Sequence, residues 1–237
     1  MDKASQIAVR QWDKIAPVRF EQIRLGLDLN YCQVLKPKTL ELFDEAPLKT
    51  RVLDLGCGVG DLAKELRQRG ADTVVAVDSS SKSIEIAKKH YSSVGVEFHH
   101  GESTEFYNTK FGTIVASMFL MDTPKLSKEM RGIGRALRTG GTLIVSLPHP
   151  CFWPIRRNYF SDSDYSYFDE SVQSGPFSLS NRVMMEYNTT HFARPLSAYL
   201  NEVSRNGMRL TSVIELPDHN HEDRSPRFVF LVARKES

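Results

Sequence analysis

The residues best suited to chemistry lie in one short run, RVLDLGCGVGD at 51–61. Gly56, Gly58 and Gly60 alternate with Cys57 and Val59, directly after Val52-Leu53-Asp54-Leu55. Glycine permits positive φ and lets a ligand or a second backbone come close to the chain. A plain tight turn needs one such residue, so three in alternation point to a ligand. The segment that follows reads as a helix with Val59, Leu62, Ala63 and Leu66 on one face. Its first N–H groups are unpaired and aim at the same place. In open α/β sheets, ligands gather at the carboxyl ends of strands, where this turn falls.

The acids nearby narrow the ligand. A dinucleotide fingerprint is GxGxxG, and here Asp61 stands where the last glycine belongs. Asp54 precedes the turn; a carboxylate there repels a pyrophosphate and attracts a cation. S-adenosylmethionine suits it, with an ammonium, a sulfonium and no phosphate. Asp78 ends a second apolar run, 22 residues after Gly56, where a carboxylate can accept both hydroxyls of a ribose. Gly101-Glu102-Ser103 follows a third run. There Glu102 or the Ser103 N–H would meet an adenine edge, or would cap a short helix.

These residues need a scaffold, and the patterning supplies one. Residues 52–55, 73–77, 94–98, 111–117 and 142–147 read as strands, the second buried on both faces. Helices alternate with them: Gly70 ends the first, the serines at 79–81 cap the next, and Thr123 with Pro124 opens a third that Gly140-Gly141 closes. Alternation of this kind implies a mainly parallel sheet flanked by helices. Residues 3–35 read as one or two helices, broken at Pro17. Residues 148–190 interrupt the alternation with a crowd of aromatic side chains and read as an insertion. A helix from Pro195 and two final strands, 210–216 and 228–232, close the chain; their short connection implies an antiparallel pair.

At this point VLDLGCGVGDLAKEL, VVAVDSS and FHHGEST resemble the successive motifs of class I S-adenosylmethionine-dependent methyltransferases over residues 50–147. SLPHPCF and RPLSAYLNEVSRNGMRL with LPDH are similar to segments of bacterial small-molecule members, the type 11/25-like group. The resemblance implies a Rossmann-like α/β fold, a seven-stranded sheet of order 3-2-1-4-5-7-6 with the last strand antiparallel. It implies S-adenosylmethionine as cofactor, held by Asp54, Gly56, Cys57, Gly58, Asp78, Ser79, Glu102, Ser103, Ser117 and Met118. It also divides the chain into an N-terminal helical lid (1–48), a cofactor core (49–147), a substrate-cap insertion (148–193) and a C-terminal part (194–237). Two departures stand out. The fourth strand opens Phe111-Gly112 where the family has Phe-Asp. No NPPY-like run follows it, which argues against methylation of exocyclic amines of bases or of glutamine.

Methyl transfer from a sulfonium is an in-line displacement of an already activated group, so positioning dominates. A base helps where the nucleophile holds its proton at neutral pH. His149, between two prolines, and His191 are the candidate bases. Trp12, Tyr31, Phe152, Trp153, Tyr187 and Arg194 are the candidate substrate contacts. His219 and His221 with Glu222 and Asp223 resemble a metal cluster only loosely, and no metal is expected.

The remaining composition bounds the partners. A formal charge of +2 over 237 residues, without a run of five like charges, gives no pull toward nucleic acid or an anionic membrane. Arg156-Arg157 reads as a solvated edge. Three widely spaced cysteines suggest neither disulfides nor zinc. With no apolar leader and no long apolar run, a cytoplasmic location is expected. The expected function is methylation of an oxygen or nitrogen on a small apolar or aromatic molecule by a monomer or homodimer. An RNA or protein acceptor, or a cofactor-binding member that does not methylate, is the alternative.

Overall fold

In the main sheet, side chains alternate between two buried faces, as a strand's twofold period requires. A computed structural model describes residues 3–178, 184–221 and 224–236. The strands are β1 (Arg51–Leu55), β2 (Thr73–Asp78), β3 (Val96–His100), β4 (Phe111–Ser117), β5 (Leu137–Pro148), β6 (Ser171–Ser178), β7 (Met184–Ala193), β8 (Met208–Leu216) and β9 (Phe228–Lys235). Seven pair in the order β3-β2-β1-β4-β5-β9-β8, while β6 and β7 form a separate antiparallel hairpin. Strands β1 to β5 run parallel, and β9 is antiparallel to both β5 and β8. With the hairpin set apart, this is the expected 3-2-1-4-5-7-6 order.

The helices are α1 (Lys3–Arg24), α2 (Lys36–Asp44), α3 (Asp61–Gln68), α4 (Ser81–Tyr91), α5 (Leu126–Ala136), α6 (Trp153–Arg156) and α7 (Leu196–Arg205). On one face of the sheet, Leu53, Leu55, Val75 and Val145 pack with Met130 and Ile133 of α5 and Val203 of α7. On the other, Val52, Val74, Val115 and Ile144 pack with Phe43 of α2, Leu66 of α3 and Ile84 of α4. Ser80 caps α4 by accepting the Ser83 N–H, as expected from the serine cluster. Among the described residues, no helix is long and apolar enough to cross a membrane.

Three local expectations are corrected. Pro17 does not break α1, which runs through it. Pro17 itself is exposed, while Ile15, Ala16 and Phe20 are buried beside it, so packing holds the helix across the missing hydrogen bond. Thr123 is not the cap of α5; Lys125 holds that place without a side-chain bond, and Gly140-Gly141 lie inside β5, not at the helix end. The register between β4 and β5 shifts there, so the glycines serve an irregularity in a strand. The aromatic insertion also contains order that the sequence reading left out, namely the hairpin β6–β7, whose tip lies outside the described residues.

Helix α1 crosses outside the sheet. Its Asp13 carboxylate accepts from Ser80 Oγ (2.7 Å) and the Lys82 N–H (3.1 Å) at the start of α4. Trp12 meets Phe177 of β6 edge to face, at 5.9 Å between centroids. Helix and hairpin therefore touch each other, and Trp12 of the one and Phe177 of the other line the same cavity as residues at the carboxyl ends of β1, β2 and β4.

Candidate functional site

The turn after β1 is built as a cradle. Gly56, Gly58 and Gly60 all have positive φ, at 68°, 53° and 86°. The Gly56 and Cys57 N–H groups donate to Val77 O of β2 at 2.9 and 3.1 Å. The Asp78 carboxylate accepts from the Gly58 N–H through one oxygen and from the Ser80 N–H through the other, both at 2.8 Å. One acid thus fixes the glycine loop and the approach to α4. A side chain at Gly56 would put its Cβ 2.5 Å from the Phe119 ring, whereas at Gly58 it would meet open space. Gly56 is a packing requirement; Gly58 leaves the loop's ligand side open.

This cradle forms the floor of a cavity of about 700 Å³. All ten residues expected to hold the cofactor line it: Asp54, Gly56, Cys57, Gly58, Asp78, Ser79, Glu102, Ser103, Ser117 and Met118. Glu102 has a second task, since it caps the short turn Ser103–Phe106 in a reciprocal pair with Glu105. Met118 holds a positive φ of 54° at the end of β4, its N–H bonded to Ser146 O at 2.9 Å. Such backbone is uncommon outside glycine and gathers at functional sites.

The floor is acidic. Asp54 is 1% exposed, and its Oδ2 has no hydrogen-bond partner among the described residues. Burial, then the neighbouring Asp78, pushes its carboxyl up to about 7. Asp122 also lines the cavity and accepts from Trp12 Nε1 at 3.1 Å. Loss of solvent raises it to about 8 against that hydrogen bond, and Asp78 adds to the rise. Sequence reasoning passed over Asp122; the only signal was an acid five residues beyond the fourth strand. Asp61 is tied down structurally, to Tyr31 Oη (3.1 Å) and Lys36 Nζ (3.0 Å).

The candidate substrate and catalytic residues divide. Trp12, Tyr31, Trp153 and His191 line the cavity; Phe152, Tyr187, Arg194 and His149 do not. His149 is 1% exposed and committed on both ring nitrogens, Nε2 to Glu215 at 2.6 Å and Nδ1 accepting the Cys151 N–H at 3.2 Å. A ring so used ties the end of β5 to β8 and presents no nitrogen to the cavity, so the expected base role is withdrawn. Phe152 lies tilted against that imidazole, 4.8 Å between ring centroids. Arg194 is buried, paired with Glu170, and donates to Leu120 O (3.3 Å) and Thr123 O (2.7 Å). It therefore positions the loop carrying Asp122 instead of touching a substrate. His191 bonds Tyr159 Oη at 2.6 Å, and burial with the Arg157 charge lowers it to about 4, so it is neutral at pH 7. Arg157 lines the cavity, which corrects its reading as a solvated edge; its partner Arg156 instead donates to Ser225 O at 2.8 Å. His219 bonds Asn30 through its N–H at 2.9 Å. Glu222 and Asp223 lie outside the described residues, and no group of three potential metal ligands exists among the described ones.

A parallel-type sheet of this order, with an acid–glycine cradle at the carboxyl ends of its first two strands, defines a Rossmann-like methyltransferase fold. The chain belongs to the methyltransferase domain family, whose profile matches residues 28–205. It is 28% identical over 142 residues to a demethylmenaquinone methyltransferase of Chlorobaculum parvum, covering 58% of each chain. It is 27% identical over 153 residues to a ubiquinone biosynthesis O-methyltransferase of Aromatoleum aromaticum, covering 62% of this chain and 60% of that one. These matches span about three-fifths of the curated relatives' length. The solved S-adenosylmethionine-dependent methyltransferase of Clostridium acetobutylicum superposes with a TM-score of 0.67, at 16% identity over 95% of this chain and 99% of that one. That likeness is one of fold.

The two raised carboxyls give a stability prediction. Their folded values lie above those of an unfolded aspartate, so between pH 4 and 8 the folded state binds more protons. Stability they supply below about pH 4 is lost as pH rises through about 7 and 8. Asp122→Asn keeps an acceptor for Trp12 and carries no charge. Differential scanning fluorimetry should give this variant a melting temperature a few degrees above the parent at pH 8.5, converging by pH 5. A variant less stable at both pH values would contradict the buried-charge account.

Proposed function

We propose that this chain transfers the methyl group of S-adenosylmethionine to an oxygen or nitrogen of a small apolar or aromatic acceptor. The observation that carries the reading is the unpartnered, buried Asp54 Oδ2 beside a glycine loop that Asp78 holds open. A buried carboxylate lacking a donor is costly unless a ligand supplies one. The residues fit the nucleoside donor. Asp54 would take its ammonium, and the remaining lone pairs of Asp78 its ribose hydroxyls. Glu102, Ser103 and Met118 would flank its base, while Gly56, Cys57, Gly58, Ser79 and Ser117 allow close approach of the main chain. When bound, the donor supplies a methyl group already activated on a sulfonium.

The chain's own task is then to bind, orient and exclude water. Trp12 and Tyr31 on the N-terminal side and Trp153 on the other would close the acceptor's space, with α1 as lid and the 148–193 segment as cap. His191, neutral at pH 7, can accept a hydrogen bond from an acceptor hydroxyl. A group whose value lies near 4 is a weak base, so positioning outweighs proton removal.

Incubation with donor labelled on its methyl group, against a panel of aromatic phenols and amines, tests the activity. Label should move to an acceptor. Full donor binding with no transfer across the panel would favour a member that binds the cofactor without methylating. Donor binding should also depend on pH. Because Asp54 titrates near 7 and its anion is the form that binds a cation, the dissociation constant should rise about tenfold per pH unit from 6.5 to 5.5. Asp54→Asn should bind more weakly at pH 7.5 and show a flat profile; an unchanged slope in that variant would remove Asp54 from the donor site.

A further inference from the structure

Most carboxylates that line the cavity already have work to do. Asp54 is enclosed, at 1% exposure. Asp78 spends both oxygens on main-chain N–H groups. Asp61 holds Tyr31 and Lys36, and Asp28 pairs with Arg19. Glu129 is buried against the Tyr107 hydroxyl, and Glu102 caps a turn. Asp122 differs. It is half-buried, lines the cavity, and accepts one side-chain hydrogen bond among the described residues, from Trp12 Nε1 to Oδ2 at 3.1 Å. Its Oδ1 is left for a ligand.

The loop that carries Asp122 is braced from several sides. Leu120–Asp122 is a single tight turn, closed by the Asp122 N–H on Phe119 O at 2.9 Å. The Phe119 ring fills the place that a side chain at Gly56 would need, which locks the turn to the glycine cradle. Arg194 binds the carbonyls of Leu120 and Thr123 from behind. Trp12, which aims the carboxylate, also meets Phe177 across the cavity wall. A fixed carboxylate thus stands between the donor's cradle and an aromatic wall, as a group acting on a flat acceptor must. The charges around it are those of Asp78 at the end of β2, of Arg194, and of Arg19, Lys125 and Lys128 in the cavity lining; Tyr199 of α7 lies near enough to sense it. Loss of solvent dominates and brings Asp122 to about 8. A base works best when its value lies near the working pH. A phenol ordinarily titrates near about 10, within reach of such a carboxylate and far beyond His191 at about 4.

We propose that Asp122 is the catalytic base of this chain, its free Oδ1 taking the proton of an aromatic hydroxyl as that oxygen attacks the donor's methyl group. This rests on the methyl-transfer reading above and names its base and its acceptor class. In the step, the oxygen–hydrogen bond breaks and the proton passes to Asp122. The oxygen–carbon bond forms as the carbon–sulfur bond breaks, and that electron pair leaves on sulfur, which becomes a neutral thioether. Asp122 then returns its proton to water. A neutral aromatic amine attacks through its lone pair with its protons in place, so a base set here serves a hydroxyl better.

Single-turnover transfer from methyl-labelled S-adenosylmethionine bound to the full chain at pH 7.5 tests this with two probes. One is 4-methylphenol, which keeps its proton at that pH; the other is pentafluorophenol, which has lost it. Asp122→Asn should slow methylation of 4-methylphenol by about a hundredfold or more and leave that of pentafluorophenol within about threefold of the parent, the contrast that general-base help produces. The retained rate on pentafluorophenol shows at the same time that the variant is folded and holds its donor. Equal losses on the two phenols, or no loss on 4-methylphenol, would overturn the proposal. Absence of transfer to either phenol by donor-loaded parent would overturn it as well. Calorimetry with S-adenosylhomocysteine separates the two readings: a parent that takes up no nucleoside refutes the donor assignment, whereas normal uptake with equal losses removes Asp122 alone.

Discussion

The two backbone hydrogen bonds accepted by Asp78 organise everything around the cavity. One joins the end of β2 to Gly58, the other to Ser80, and each is 2.8 Å long. Through Ser80, the same connection passes to the first turn of α4 and to Asp13 of α1. A single carboxylate therefore sets the glycine loop, a helix cap and the seat of the N-terminal helix. Burial opposes its charge and the two N–H groups favour it, with burial the larger effect. That balance leaves an acid ready to gain from further donors, which is what a sugar diol brings.

The cavity lining carries charges of both signs. Asp54, Asp78 and Asp122 lie where the strands β1, β2 and β4 end, and Arg157 and Arg227 where α6 ends and β9 begins. Neither group could be moved without cost: Asp54 is enclosed by the sheet, and Arg227 sits at the first residues of a central strand pair. Aromatic rings on α1, α6 and the hairpin, Trp12, Trp153 and Phe177, also line the cavity, where they exclude water and lengthen the reach of each charge. Arg194 contributes from outside, fixing the carbonyls on either side of Asp122 so that this acid keeps its place beside Trp12.

How much of this was legible in the sequence follows from how local each feature is. The cradle residues were readable because strand, glycines and helix are contiguous, and the motif at 51–61 dictates its own geometry. The mainly parallel sheet was readable from its strand–helix alternation, as each crossover repeats one handed unit, while the strand order came only with the family resemblance. His149 misled because its direction is set by Glu215, 66 positions away on β8. Arg157 and Arg227 were missed because only the folded cap brings them to one indole. The hairpin escaped because Gly175, Pro176 and the many polar residues of β6 and β7 blur the twofold alternation that marks a half-buried strand. Pro17 shows the reverse, a strong local signal overridden by the burial of its neighbours.

The central claim is that Asp78, while bracing the loop, also grips the sugar of a sulfonium nucleoside. Calorimetric titration of S-adenosylhomocysteine into the parent chain and into Asp78→Ala addresses it directly, with circular dichroism confirming that both are folded. The account predicts one nucleoside bound per parent chain and a loss of about a hundredfold in affinity for the variant, the scale of two hydrogen bonds to a charged group. A folded parent that takes up no nucleoside, or a folded variant that binds as tightly as the parent, would contradict it.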